Sequence, residues 1–269
     1  MIKFYLPTID QFDRQRNKGE LNHIIRDGIN SNPNSCLVSS YDECDYVIVD
    51  FRHLNGRSGY NKSIPSSWHK NLVIVDYADS LEIFRIACAY YFKRSIVNKK
   101  DHTFIQHDGP IIPISYCVKN ACLNFDVEHY QRDIDIAVFF RQPHENPKAG
   151  MSNRSTIASY IQSQFSNKNI WVGIAGVDGE RGRMDISEDY YQIMLRSKIV
   201  VNCNPNDWEG DYRLFEALSC KTMVMSDPMI TPVQNPLKNE KDLIYYDSLE
   251  MLKDKIDYYL ANDSERELI

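Results

Sequence analysis

From Leu195 to Pro228 the chain runs LRSKIVVNCNPNDWEGDYRLFEALSCKTMVMSDP, and this stretch decides the fold. Ile199 to Asn202 is a β-branched apolar run, Asp211 is of a type that opens helices, and Thr222 to Met225 is apolar again. The order is therefore buried strand, loop, acidic helix start, short helix and second buried strand. A plain strand–helix–strand connection does not need the charged groups between the strands, Glu209, Arg213 and Glu216. A helix start beside an arginine attracts phosphate. A carboxylate one turn later accepts hydrogen bonds from a vicinal diol such as a ribose. The combination implies a site for a sugar nucleotide.

Working outward, the same alternation extends through the chain. Ile2 to Leu6 is expected to be a buried strand, followed by a loop with Asp10 and Asp13. Leu21, Ile24, Ile25, Gly28 and Ile29 form a helical stripe that stops near Asn32-Pro33. Tyr46 to Phe51 and Leu72 to Asp76 have strand length, and Asn55 to Lys70 between them is expected to be a surface loop. Leu81 to Phe92 is expected to be an amphipathic helix and Thr103 to Gln106 a strand. After a transition around Asn120 to Arg132 a second series begins: strand Ile134 to Phe140, helix Ser152 to Phe165, strand Ile170 to Ala175 and helix Glu188 to Arg196. Beyond the quoted stretch come a short strand, Leu243 to Tyr246, and a helix, Leu249 to Leu260. Alternating strands and helices imply parallel sheets covered on both faces. Two αβ halves in tandem are expected, 1–125 and 126–269.

Composition sets limits. With 269 residues, 43% of them hydrophobic, the chain can bury one large core or two modest ones. A net charge of −6 argues against a nucleic-acid partner held by a basic face. The seven cysteines show no metal-ligand spacing, and their odd number fits reduced thiols in a cytoplasmic setting. No apolar run approaches the ~20 residues of a membrane span. No signal-peptide pattern precedes the first strand.

The octet Arg213-Leu214-Phe215-Glu216-Ala217-Leu218-Ser219-Cys220 has the form R-x-F-E-A-L-x-C. It resembles the donor-site segment of GT-B-fold glycosyltransferases, particularly the exostosin-like kind. Tyr91 to Ser95 and Ile111 to Ile114 sit where such enzymes carry similar segments, so the resemblance covers roughly residues 85 to 250. It implies an α/β protein of GT-B type, with two Rossmann-like αβα domains facing across a cleft. Residues 1–125 would be the acceptor side and 126–269 the nucleotide-sugar-binding side. The implied activity moves a hexose or pentose from a UDP-sugar, with UDP-xylose among the candidates, to a hydroxyl of a glycan or glycoprotein acceptor. Neither a metal nor a cofactor is expected. This chain departs from the pattern in two places. Retaining relatives space their two glutamates one residue wider than Glu209 and Glu216, and Lys221 stands where a glycine is common.

Candidate residues follow strands, because open αβ sheets bind ligands at the carboxyl ends of their strands. Glu216 is assigned to the ribose and Arg213 to the diphosphate. Arg141 ends a strand and Arg154 lies in the first turn of the next helix, so both are placed on the diphosphate as well. Asn202 and Asn204 are assigned to the base or a phosphate. Gly176 and Val177, through their backbone, form a weaker set of donor contacts with Glu209, Gly210, Asp211 and Tyr212. A transfer that inverts the sugar needs a group to take the acceptor proton, and Asp79, Asp76 and Asp10 are the candidates. Other chemistries lack their signatures. No G-x-G-x-x-G follows a strand and no P-loop is present. Asp133-Ile134-Asp135 has the D-x-D spacing of metal-dependent transferases but opens a buried strand, and His102 and His107 have no third zinc ligand. Two readings from other classes stay open: a pyruvyl-type transferase on the same fold, and a non-catalytic nucleotide-sugar-binding protein.

Overall fold

Short β-branched runs become strands and longer stripes become helices in two separate sheets. The computed structural model describes residues 1–7, 20–50, 64–78, 81, 83, 86–97, 104, 110–118, 120–141, 153–175, 188–204 and 209–269. The chain divides into two compact units, Met1–Asn120 with Thr231–Gln234, and Ala121–Ile230 with Asn235–Ile269.

The first unit is built from β1 (Ile2–Tyr5), α1 (Glu20–Ser31), β2 (Ser35–Leu37), β3 (Tyr46–Asp50), β4 (Leu72–Asp76), β5 (Tyr90–Lys93) and β6 (Ile111–Pro113). Its sheet has the order β2-β1-β3-β4-β5-β6, with every neighbouring pair parallel. YVIVD and LVIVD, the sequences of β3 and β4, are buried on both faces, as continuous apolar runs in a parallel sheet should be. Val47, Val49, Leu72, Ile74 and Tyr91 pack on one face. Ile48, Val73 and Val75 pack with Leu6 and Ile29 on the other.

Three expectations for this half need correction, and a fourth falls mostly outside the described residues. Leu81 to Phe92 is not a helix: the described residues 81, 83 and 86–88 are irregular, and Tyr90–Lys93 is a strand paired with β4. The aromatic pair alternates across the sheet, with Tyr91 buried and Tyr90 exposed, as the period of two of a strand requires. The first strand is also less buried than expected, since Ile2 is exposed. Ser66–Asn71, inside the expected loop, forms a 3-10 helix. Of Thr103 to Gln106 only Phe104 lies among the described residues, in an isolated antiparallel bridge to Val97.

The second unit contains β7 (Ile134–Arg141), α2 (Asn153–Gln164), β8 (Ile170–Ala175), α3 (Glu188–Arg196), β9 (Ser197–Val201), α4 (Tyr212–Ser219), β10 (Met223–Ser226), β11 (Ile244–Tyr245), α5 (Leu249–Ala261) and α6 (Asp263–Arg266). Its sheet order is β11-β10-β9-β7-β8, again parallel throughout. Ile157, Ile161, Leu252 and Ile256 of α2 and α5 cover one face of the sheet. Met194, Leu195, Leu214 and Ala217 of α3 and α4 cover the other. In unit order the strands run 2-1-3-4-5, the flavodoxin-like winding, so the sheet reverses direction between β7 and β9. The crevice at the carboxyl ends of those two strands is where doubly wound sheets bind ligands.

The opposite, amino edge is closed by Arg132. Its guanidinium donates to the Ser197 carbonyl at 2.6 Å, Thr222 Oγ1 at 2.7 Å, and the carbonyls of Cys220 and Lys221 at 3.1 and 2.7 Å. It thereby takes up carbonyls that the end of α4 leaves open. Lys221 in that turn has φ of 50°, a left-handed conformation that glycine adopts without the steric cost.

Candidate functional site

The loop after β9 and the start of α4 meet at the reversal point of the second sheet. Asp211 is the N-cap of α4, its Oδ1 accepting from the Leu214 N–H at 3.2 Å. Its Oδ2 accepts from Arg154 Nη2 at 2.7 Å and from Arg213 Nη1 at 3.0 Å. All three side chains are largely buried, 9% exposed for Arg154, 12% for Arg213 and 5% for Asp211. Burial alone would push the Asp211 carboxyl up, but Arg213, Arg154 and the Leu214 N–H outweigh it and hold the group below the usual carboxylate range. Burial also lowers the Arg154 pKa, with Asp211 opposing. Arg154 Nε donates to the Cys203 carbonyl at 2.7 Å, so α2 is tied to the end of β9 as well as to α4.

The asparagines brace this loop. Asn204 Oδ1 accepts from the Gly210 N–H at 2.7 Å, while its main-chain N–H and Nδ2 donate to Asp227 Oδ1 at 2.7 and 3.0 Å. Gly210 has φ of 74°, which explains a glycine directly before the cap. Glu209 Oε2 accepts from the Ile230 N–H at 2.7 Å and is buried. Asn202 donates through Nδ2 to Ser226 Oγ at 3.1 Å, and its carbonyl accepts from the Tyr246 hydroxyl at 2.7 Å. Its Oδ1 is buried and has no hydrogen-bond partner among the described residues.

Glu216 lies further along α4 and is 1% exposed. Its Oε2 accepts from the Tyr190 hydroxyl at 2.7 Å and its Oε1 from the Tyr191 hydroxyl at 3.4 Å. Both tyrosines belong to the first turn of α3, so the carboxylate faces the start of a neighbouring helix. Tyr212, the first residue of α4, is partly buried.

The structure thus brings Arg154, Asn202, Asn204, Glu209, Gly210, Asp211, Tyr212 and Arg213 together around one loop, with Glu216 further along the same helix. Arg141 ends β7, at the carboxyl edge, and its side chain lies outside the described residues, as do Gly176 and Val177. Of the three carboxylates expected to accept a proton, Asp10 and Asp79 also lie outside the described residues. Asp76 is described. It is fully buried at the end of β4, 3.1 Å from Lys93 Nζ, with Oδ2 accepting from the Tyr91 hydroxyl at 2.8 Å and Oδ1 from the Ala78 N–H at 2.9 Å. Burial pushes its carboxyl above the usual value despite Lys93. Sequence reasoning missed Tyr190, Tyr191 and Asp227. The tyrosines resemble an ordinary core-facing stripe, and the signal for Asp227 was its place just after a strand.

Among the described residues no cluster of His, Cys, Asp and Glu could hold a metal ion. No described helix is long and apolar enough to cross a membrane.

Residues 163–269, which hold this loop and helix, match a family model described as glycosyl transferase-like. No curated protein matches the chain. Among the solved structures similar to it are the following three. One is a TarM mutant of S. aureus in complex with fondaparinux, alpha-GlcNAc-glycerol and UDP, at 14% identity and a TM-score of 0.45, covering 74% of this chain and 50% of that one. Another is an alpha1,3-fucosyltransferase, at 10% identity and a TM-score of 0.47, covering 98% and 80%. The third is a sucrose-phosphate synthase of Thermosynechococcus elongatus, at 11% identity and a TM-score of 0.45, covering 84% and 66%. The chain therefore spans half the length of the first of these.

Proposed function

We propose that this protein is a glycosyltransferase that binds a nucleotide-sugar donor, a UDP-sugar first among them, on its C-terminal unit. The acceptor, a glycan hydroxyl, is assigned to the N-terminal unit. The observation that carries the reading is one short helix, starting beside the reversal point of a parallel sheet, that bears Arg213 in its first turn, ion-paired to the cap Asp211, and the buried carboxylate Glu216 further along. The glycosyl transferase-like match over residues 163–269 supports it.

In this reading Arg213 and the N-terminus of α4 face the donor diphosphate, where opposite charge and helix dipole act together. Arg154 acts through Asp211, which holds both guanidiniums. Glu216 accepts from the ribose hydroxyls. Arg141, ending β7, is placed on the phosphate side of the same crevice. The acceptor oxygen attacks the anomeric carbon as the bond from that carbon to the diphosphate oxygen breaks. The nucleoside diphosphate leaves with the electron pair. Guanidinium charge at that oxygen lowers the barrier because it meets charge that grows in the transition state. The acceptor proton goes to a base, for which Asp10, Asp76 and Asp79 are the candidates. A hexose and a pentose such as xylose both satisfy this scheme.

Thermal shift with UDP, GDP, UDP-glucose and UDP-xylose tests the reading, because a ligand at 100 times its Kd stabilises by ~2.7 kcal/mol. A uridine nucleotide should raise the melting midpoint, and Arg213→Ala or Glu216→Gln should remove most of the rise. Release of free sugar from the same donor marks an enzyme, and binding without turnover under every acceptor tried marks a binding module instead. No shift with any nucleotide would end the proposal.

A further inference from the structure

We infer that Tyr190 is a positioning residue that fixes the Glu216 carboxylate for ribose recognition, an inference that rests on the donor site proposed above. A glutamate's last torsion is broad and nearly two-fold, so the plane of its carboxylate is not set by its own rotamer. Something outside the side chain must set it before two adjacent hydroxyls can be met together. Here the hydroxyls of Tyr190 and Tyr191 hold the two oxygens separately, at 2.7 and 3.4 Å. The first is a short bond to a charged acceptor, while the second is near the limit of the interaction. Tyr191 is moreover shared with Cys122, whose Sγ lies 3.3 Å from the same hydroxyl. Of the two tyrosines, Tyr190 therefore carries the larger part of the constraint.

The packing keeps that hydroxyl in place. The Tyr190 ring sits edge-on to Phe139 of β7 at 5.2 Å and to Tyr191 at 5.3 Å. The donor is thus fixed to the sheet through Phe139 while its acceptor is fixed to α4. Glu216 is almost wholly buried, and a buried carboxylate without hydrogen bonds is costly. The tyrosines keep it satisfied before a ribose arrives and correctly turned when it does.

Substitution by phenylalanine removes the hydroxyl and keeps the ring packing. The test is calorimetric titration of the whole chain with UDP and GDP and with the 2′,3′-dideoxy form of each. The wild type should prefer the ribose form. In Tyr190→Phe that preference should shrink about tenfold, with dideoxy binding unchanged. A purely structural role would weaken both forms alike, so equal losses overturn the inference, as does an unchanged preference. Tyr191→Phe should give a smaller loss of the same kind, and a larger loss there than in Tyr190→Phe would also overturn it. Failure of the wild type to bind either nucleotide refutes the donor site itself and this inference with it. A wild type that discriminates, beside a Tyr190→Phe that discriminates equally, refutes the inference alone.

Discussion

Replacing Asp211 tests the arrangement at the start of α4 most directly, because one side chain performs two separable tasks there. Its Oδ1 caps the helix and its Oδ2 lies between two buried guanidiniums. Asparagine keeps the cap and loses the charge, whereas alanine loses both. Removing one partner of a buried ion pair costs ~3–5 kcal/mol, because the remaining charge stays buried. Loss of a cap adds ~1 kcal/mol. Asp211→Asn should therefore cost about 3 kcal/mol and Asp211→Ala about 4 kcal/mol. Urea unfolding followed by the fluorescence of Trp171, in a background where Trp68 and Trp208 are replaced by phenylalanine, reports on the right unit, since Trp171 lies in β8 with its ring 4.5 Å from Phe139. The dependence on pH has a definite sign. The folded pKa of Asp211 is depressed, so its contribution is present above the unfolded value of ~3.9 and is lost as pH falls through the folded value. The gap between wild type and Asp211→Asn should accordingly narrow in acid. Costs below ~1 kcal/mol for both variants, the range of an exposed ion pair, would refute the reasoning. A gap that stays constant with pH would do the same.

Two further outcomes concern residues away from the site. Lys221→Gly should stabilise the fold by up to ~1 kcal/mol and so raise the melting midpoint, because φ of 50° strains a residue with a side chain and suits glycine; a lower midpoint would show that the lysine side chain makes a stabilising contact that outweighs the strain. Lys93→Met should cost ~3–5 kcal/mol by stranding Asp76, and the double variant with Asp76→Asn should recover most of that in a urea double-mutant cycle. Because burial raises the Asp76 pKa, its ionisation costs stability as pH rises above the ordinary carboxylate value, and Asp76→Asn should remove that slope.

Much of the second unit was legible because its strands are continuous apolar runs and its helix start is marked by a capping aspartate. Asp211, Arg213 and Glu216 could be assigned to one helix from spacing alone. Their partners could not, because Tyr190 and Arg154 come from other strand–helix connections and meet them only through the strand order; the same holds for Asp227, which meets Asn204. The first unit was harder. Leu81 to Phe92 carries enough apolar residues for a helical stripe, and only pairing with β4 reveals that Tyr90–Lys93 is extended. Ser35–Leu37 and Ile111–Pro113 are three-residue edge strands, too short for any period to show.

Two arginines on either side of β7 show how much chain direction contributes. Arg132 precedes the strand and Arg154 follows it, and nothing in their immediate neighbours separates a structural role from a functional one. In a parallel sheet, however, whatever closely precedes a strand falls at the amino edge and whatever closely follows it falls at the carboxyl edge. Arg132 accordingly binds the carbonyls that end α4 and the start of β9. Arg154 accordingly reaches the carbonyl that follows β9 and the cap that starts α4. The same helix is held at its end by one guanidinium and at its start by another, and only the second lies where the sheet reverses. By that argument Arg141, the last residue of β7, belongs with Arg154 and not with Arg132.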